Sequence, residues 1–214
     1  MCNILLLNRV RFFDVPDLDG LSRYQEHIQA ALNLVPGYQG GQIWQDLIEP
    51  AHFLTLNSYS DIRSAEQGLR AIADESLIQE YLRLGHDEPK TTRVRVLEAS
   101  GELDADIESA SFLSISFRIA EPGRSHQLHD DLRRVFEECG LIPGFTGYLI
   151  GVNDALEEET IGLASWASEG AFRRSLPKGI IAKVRCFARA FPGNATRAVV
   201  SMEQRISADW PELM

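Results

Sequence analysis

Val35-Pro36-Gly37-Tyr38 returns in the second half of the chain as Ile142-Pro143-Gly144-Phe145. The two Pro-Gly pairs lie 107 residues apart, half of the 214-residue length. A period of this size marks a duplicated domain and not a solenoid unit, whose repeats run to about 20–50 residues. Held without a gap, the offset sets Arg11 on Arg118, Leu21 on Leu128, Gly40 on Gly147, Ile43 on Ile150, Leu56 on Leu163 and Ser58 on Ser165. Tyr59 meets Trp166, an aromatic for an aromatic. The same offset sets Asn8 on Ile115, Trp44 on Gly151 and Thr55 on Gly162, so the copies differ at polar and aromatic positions. Past Asp61 a short deletion in the second copy sets Leu77-Ile78 on Ile180-Ile181 and Thr92-Arg93 on Thr196-Arg197.

Each copy reads as strand, helix, strand, strand, helix, strand. Ile4 to Phe13 and Phe112 to Ile119 are apolar and β-branched enough for buried strands. Leu21, Tyr24, Ile28, Ala31, Leu32 and Val35 recur at helical spacing, as do Leu128, Leu132, Val135, Phe136 and Cys139. The Pro-Gly pairs stop these helices. Gly40 to Leu47 and Phe53 to Tyr59 form a hairpin, repeated by Gly147 to Asn153 and Thr160 to Trp166. Asp61 and Ser168 stand at helix N-cap positions. Leu69, Ile72, Ala73 and Leu77 then make one helical stripe, and Phe172, Leu176, Ile180, Ile181 and Val184 a second, interrupted by Pro177. Thr92 to Leu97 and Ala198 to Met202 are the last strands. The expected fold is α+β: two tandem ferredoxin-like βαββαβ units. Residues 1–98 form the first, 99–110 an acidic solvated linker, 111–204 the second and 205–214 a tail. Each sheet has one face without helices, so packing sheet to sheet as a pseudo-twofold barrel is the economical arrangement, with a ligand cavity between the sheets. A chain holding both halves closes its own barrel, which predicts a monomer and leaves further dimerisation open.

The net charge of −10 disfavours nucleic acid and anionic membrane surfaces as partners. No apolar run approaches the roughly 20 residues of a membrane span, and the N-terminus lacks signal-peptide features. Cys2, Cys139 and Cys186 form no disulfide framework, which fits a reducing cytoplasm. No phosphate-binding, dinucleotide-binding or hydrolase nucleophile motif is present.

Pro36-Gly37-Tyr38-x-Gly40-Gly41 followed by Phe53-Leu54-Thr55-Leu56-Asn57-Ser58-Tyr59-Ser60 resembles the antibiotic-biosynthesis-monooxygenase (ABM) family of the dimeric α/β barrel superfamily. Leu163-Ala164-Ser165-Trp166-Ala167-Ser168 with Ala171-Phe172 is similar to the same family in the second copy. The resemblance implies a cofactor-independent oxygenase that takes a proton from an electron-rich phenol of polyketide type and lets the anion react with oxygen. It also implies an Asn and a Trp four residues apart on the third strand. Trp166 matches the Trp, Gly162 stands at the Asn position, and the first copy has Thr55 and Tyr59. Leu7-Asn8-Arg9-Val10 resembles the first-strand motif of haem-degrading relatives, which makes haem binding or breakdown the alternative cofactor reading. A non-catalytic small-molecule binder is the third.

Asn8, Tyr59 and Trp166 are the catalytic candidates, and Trp44, Tyr38 and Phe145 the substrate-binding candidates. Asn8 sits among leucines, where an unpaired amide is costly, so it is either a cavity donor or a core amide with a backbone partner. Tyr59 and Trp166 share one place in the repeat and would line both ends of the cavity, unless they are core aromatics. Trp44 alternates with Ile43 and faces either the cavity or solvent. His126 and His129 supply two possible metal ligands, too few for a site, so no metal is expected. His52 reads as a hairpin-surface His, and Arg11 and Arg118 as equivalent salt-bridging residues. The divergence between copies predicts one asymmetric site on the Asn8 side.

Overall fold

The computed structural model describes residues 3–14, 16–46, 49–105, 107, 110 and 112–175, and the backbone of 185–189 and 198–203. The first half runs β1 (Ile4–Arg11), α1 (Leu18–Leu32), β2 (Tyr38–Asp46), β3 (His52–Tyr59), α2 (Ile62–Ile72), α3 (Glu75–Arg83) and β4 (Lys90–Gly101). A short α4 (Glu102–Ala105) leads into β5 (Phe112–Ile119), α5 (Ser125–Cys139), β6 (Phe145–Asn153), β7 (Leu156–Trp166), α6 (Glu169–Ser175), β8 (Arg185–Arg189) and β9 (Ala198–Glu203). The fold class is α+β, as expected. Asp61 caps α2 by accepting from Ser64 N at 2.8 Å, and Ser168 caps α6 by accepting from Ala171 N at 3.1 Å. The stripe from Leu69 to Leu77 is not one helix. Asp74 accepts from Ser76 N at 2.9 Å and starts α3 afresh, because an aspartate side chain competes with the helix for backbone donors. The expected stripe at Leu176, Ile180, Ile181 and Val184, the Thr196-Arg197 match and the tail fall outside the described residues.

Seven strands form one antiparallel sheet in the order β2-β3-β1-β4-β6-β7-β5, and β8 and β9 join its ends into a closed ring. β9 was expected. β8 was not: it follows the stretch read as helical, and β9 runs parallel to β5. Within the sheet the two hairpins repeat each other closely. A β-bulge falls between Tyr38 and Gly40 and again between Phe145 and Gly147. Gly37 O accepts from Ser60 N at 2.8 Å, and Gly144 O accepts from Ala167 N at 2.7 Å. The Pro-Gly turn therefore ties the end of the third strand in both halves.

The 107-residue offset holds for both hairpins and for α1 and α5 but fails on the first strand. Ile4 pairs with Tyr59 while Phe112 pairs with Trp166, which sets Ile4 on Phe112, 108 residues away. The connection between first strand and first helix is one residue shorter in the second half. A one-residue slip turns every side chain to the other face. Asn8 therefore corresponds to Ser116 and not to Ile115. Arg11 and Arg118 are likewise not equivalent: Arg11 is exposed, and Arg118 is buried at the place of Val10.

The sheet faces two different environments. Leu5, Leu7, Trp44, Leu54, Leu56 and Val94 from the first half meet Leu113, Ile115, Phe117, Leu149, Ile161 and Leu163 from the second in one apolar cluster inside the ring. The segment expected to be a solvated linker belongs to this cluster. β4 continues through Gly101, past the expected boundary, and Leu103, Ile107 and Ala110 are 2%, 6% and 0% exposed. Leu103 and Ile107 stand four apart in sequence and are both buried, while Asp104 between them is exposed.

Candidate functional site

Side-chain alternation separates the six candidates. Trp44 points into the ring, where its indole Nε1 is buried and without a partner among the described residues. The other five lie on the helix side. On β1, Leu5 and Leu7 face inward, so Leu6 and Asn8 face the helices. Tyr59 packs with Ile4, Leu6 and Ala65 beneath α2, with Tyr38 beside it at 5.4 Å between ring centroids. Burial pushes the Tyr59 hydroxyl up to about 12. Trp166 and Phe145 pack with Leu132, Phe136 and Phe172 on the helix side of the second half, and Trp166 Nε1 donates to Ser114 Oγ at 3.1 Å. The expectation that Tyr59 and Trp166 line two ends of an inter-sheet cavity is therefore corrected. The ring interior is occupied by leucines and by the linker, and these two aromatics are core residues of separate halves. Asn8, Tyr59 and Trp166 do not converge on one point.

A different set of residues does converge. On the helix side of the first half, one apolar cluster holds Val10, Phe12, Leu21, Ile43 and Phe53, and another holds Ile4, Leu6, Tyr59 and Ala65. Between them runs a polar seam. Asn8 stands between Thr55 of β3 and Thr91 of β4 and accepts from Thr91 Oγ1 at 2.7 Å. Its Nδ2 has no partner among the described residues. Gln25 and Gln29 lie one turn apart on α1, Gln25 on its buried face. Gln29 donates through Nε2 to Gly41 O at 3.0 Å and accepts from the Tyr38 hydroxyl at 2.7 Å. The Tyr38 hydroxyl also lies 3.4 Å from Asn57 Oδ1. Gly41 makes room for this arrangement, since a Cβ there would stand 2.2 Å from Asn57 Oδ1.

Among the described residues, the second half has no such seam. Where the first has Asn8, Thr55, Gln25, Gln29, Tyr38 and Asn57, the second has Ser116, Gly162, Leu132, Phe136, Phe145 and Ala164. A Cβ on Gly162 would meet Phe136 at 3.1 Å and Leu132 at 3.5 Å, so two apolar side chains fill the equivalent place. The seam is a property of one copy. Gln25, Gln29, Asn57 and Thr91 were missed by sequence reasoning, although subtracting one copy from the other exposes the first three.

The second half is held at its sheet edge by Glu98, which accepts from the Tyr148 hydroxyl and from Arg133 Nε at 2.7 Å. Burial opposes the Glu98 charge, but these hydrogen bonds and the Arg133 charge outweigh it and hold the carboxyl below its usual range. A depressed carboxylate contributes stability above the unfolded-state range, and that contribution is lost as pH falls through the folded-state value. Glu98→Gln should therefore flatten the acid limb of stability below about pH 4, read as the denaturant midpoint against pH. An unchanged limb would show that the carboxylate contributes nothing.

The remaining candidates lie apart from the seam. His52 Nε2 is 3.1 Å from Glu49 on the β2–β3 hairpin. His126 and His129 sit 6.1 Å apart on α5, and among the described residues no three His, Cys, Asp or Glu side chains gather as metal ligands. Cys139 is half-buried, its thiol pushed up to about 11 by burial and the Glu138 charge. Arg118 is lowered by burial against the opposing effect of Asp131. A haem would need a free ring nitrogen facing the seam. His86 is the histidine nearest that role, but its Nε2 is buried and its ring lies 3.8 Å from the Tyr81 ring centroid. With α3 in this position, His86 does not fit a haem. No described helix is long and apolar enough to cross a membrane.

No family model and no curated protein matches the sequence. Solved structures do. A Fusobacterium nucleatum protein provisionally named a monooxygenase superposes with a TM-score of 0.63 at 10% identity, over 81% of this chain and 80% of its own. An anthrone oxidase-like protein gives 0.57 at 14% identity, over 83% and 79%. A protein provisionally named a chlorite dismutase gives 0.55 at 9%, over 82% and 84%. At these identities the likeness is one of fold alone.

Proposed function

We propose that this chain is an ABM-like, cofactor-independent monooxygenase acting on a polyketide-type aromatic, an electron-rich phenol or its keto tautomer, in the helix-side seam of its first half. The observation that carries this reading is the asymmetry of the seam. Gln25 and Asn57 are buried there and Asn8, Gln29, Tyr38 and Thr55 half-buried, at a cost that the second half avoids with Leu132, Phe136 and Ala164, and a polar group kept in an apolar layer is usually kept for a task. The fold likeness to an anthrone oxidase-like protein supports the substrate class. In such a reaction a substrate methylene and O2 give a carbonyl and water. The protein's share is to desolvate the substrate and stabilise its anion with fixed donors. Asn8 Nδ2 is the donor offered for that anion, with Thr55 and Thr91 beside it. The two halves are read as fused ferredoxin-like units, 1–98 and 111–204, closing a pseudo-twofold barrel as a monomer in the cytoplasm. The paired bulges and Pro-Gly ties support the duplication.

Oxygen uptake with a panel of hydroxyanthrones, in metal-free buffer, tests the reading. The protein should consume oxygen above the background rate, and Asn8→Ala should lower that rate roughly tenfold, the value of one hydrogen bond to a charged group. Trp166→Phe, in the other half, should leave it nearly unchanged. No acceleration with any member of the panel would refute the proposal.

A further inference from the structure

His86 lies at the far end of the same face of β1 as Asn8. It forms a backbone bridge with Phe12, four residues along from Asn8, about 13 Å at the strand rise. Its Nδ1 is 2.6 Å from the Asp87 carbonyl oxygen. A carbonyl only accepts, so Nδ1 carries a hydrogen, and in the neutral ring Nε2 is then the acceptor. That acceptor is buried and has no partner among the described residues. It is enclosed by aromatic rings, Tyr81 at 3.8 Å and Phe12 at 5.9 Å between centroids. A buried acceptor left without a donor requires an explanation.

Tyr81 belongs to α3, and α3 carries no buried residue. Ile78 and Leu82 on it are exposed. It is held down mainly through Tyr81, which packs against the Val10, Phe12 and Phe53 cluster. Tyr81 stacks on Tyr24 of α1 at 5.2 Å, and His27 of α1 lies 2.8 Å from Glu80. Each end offers a joint: the Ala73-Asp74 break on one side, and on the other Gly85 at φ +67, where an added Cβ would meet only Phe13 at 3.5 Å. Few buried contacts and a joint at each end are the marks of a segment that opens locally.

We infer that His86 Nε2 is the proton acceptor for the reaction proposed above, and that α3 is the lid that shields it behind Tyr81. The inference rests on that proposed oxygenase reading and deepens it. In a hydroxyanthrone the acidic carbon lies across the ring from the carbonyl. With α3 open, the C–H proton passes to His86 Nε2, and the C–H electron pair moves through the ring to the carbonyl oxygen. The imidazolium keeps its Nδ1–H bonded to Asp87 O. The new oxyanion then lies at the opposite end of the substrate from His86, toward Asn8 Nδ2. Val10, packed between the two residues on this face of β1, is the side chain that the substrate has to displace to reach from one to the other. Dioxygen, the co-reactant of the proposed activity, takes up the electrons.

Two measurements test this. His86→Ala should lose on the order of 10²-fold in hydroxyanthrone-dependent oxygen uptake, the low end of general-base effects, and added imidazole should restore part of it. The second needs no substrate: diethylpyrocarbonate labelling of the His86 peptide, followed by mass spectrometry, should be slow in the wild type and several-fold faster in Tyr81→Ala. A wild type that oxidises hydroxyanthrones while His86→Ala is equally active overturns the proton-acceptor assignment and leaves the oxygenase reading in place. A variant with reduced activity that imidazole does not restore also overturns it. A wild type inactive on every hydroxyanthrone refutes the reading and the assignment together. Equal labelling of His86 with and without Tyr81 overturns the lid whatever the activity. A haemin Soret shift abolished by His86→Ala would make His86 a metal ligand and overturn its role as base.

Discussion

Leu103→Asp is expected to cost more than 4 kcal/mol of folding stability, and Leu103→Ala about 3 kcal/mol. The second figure is within the usual range of about 2–5 kcal/mol for truncating a buried leucine. Leu103 is 2% exposed and packs with side chains from both halves, so its removal leaves a void that neither half closes alone. The aspartate adds the cost of a carboxylate among leucines, which the linker could relieve only by swinging outward. Its starting point resists that movement. Gly101 has φ +63, and a Cβ there would stand 2.1 Å from Thr146 O, so the backbone is pressed against β6 where the linker begins. Asp104, next in sequence and exposed, is the control: Asp104→Asn should change stability by no more than about 0.5 kcal/mol. Denaturant midpoints at constant slope give both values. A loss below about 1 kcal/mol for Leu103→Asp would mean that the linker is only a tether.

The linker also shows where sequence reading falls short. Averaged over residues 99–110, the composition is acidic and poor in large apolar groups, which describes a solvated connection. What matters is that the two large apolar residues, Leu103 and Ile107, are both buried. Caps and turns, by contrast, were legible, because Asp61, Ser168 and the two Pro-Gly pairs act through local hydrogen bonds and backbone angles that need no knowledge of the tertiary fold. The first strand was legible as a strand but not in its facing. Ile4-Leu5-Leu6-Leu7 is apolar on both faces, as a strand packed on both sides must be, and carries no alternation to orient it. Asn8 was therefore placed in the wrong layer, and one residue lost from the following loop hid its true counterpart, Ser116.

The candidate site was half-legible for the same reason. That the two copies diverge at polar positions, and that the Asn8 side would hold the chemistry, could be read from the repeat. The layer could not. Single aromatic residues such as Tyr59 and Trp166 draw the eye, yet they occupy equivalent core positions and mark what the copies share. The difference lies in glutamines set where an apolar stripe would continue: Gln25 against Leu132 and Gln29 against Phe136. A glutamine on a helix reads as surface until the opposite face of the sheet is known to be filled.

Gly144→Ala is expected to cost about 3 kcal/mol and Gly37→Ala about 2 kcal/mol, although the two glycines are the same residue of the repeat. Both have positive φ, 95° and 83°, which an L side chain adopts at a cost of about 1–2 kcal/mol. The added Cβ separates them. At Gly144 it meets Ala171 Cβ at 2.7 Å, an atom fixed to the backbone of α6, so the helix itself must shift. At Gly37 it meets the hydroxyls of Ser60 and Ser64 at 2.3 and 2.4 Å, which can rotate away, and Ser64 Cβ at 3.0 Å, which must yield a few tenths of an ångström. Rotation of Ser60 also gives up its hydrogen bond to Asp61 at the cap of α2. Ala171→Gly should cost about 1 kcal/mol alone, as glycine in a helix does. Combined with Gly144→Ala it should recover part of the loss, a coupling of at least about 0.5 kcal/mol in the double-mutant cycle. Equal costs at the two glycines with no coupling to Ala171 would show that backbone angle alone sets the penalty, and that the Pro-Gly turn does not press on the helix it faces.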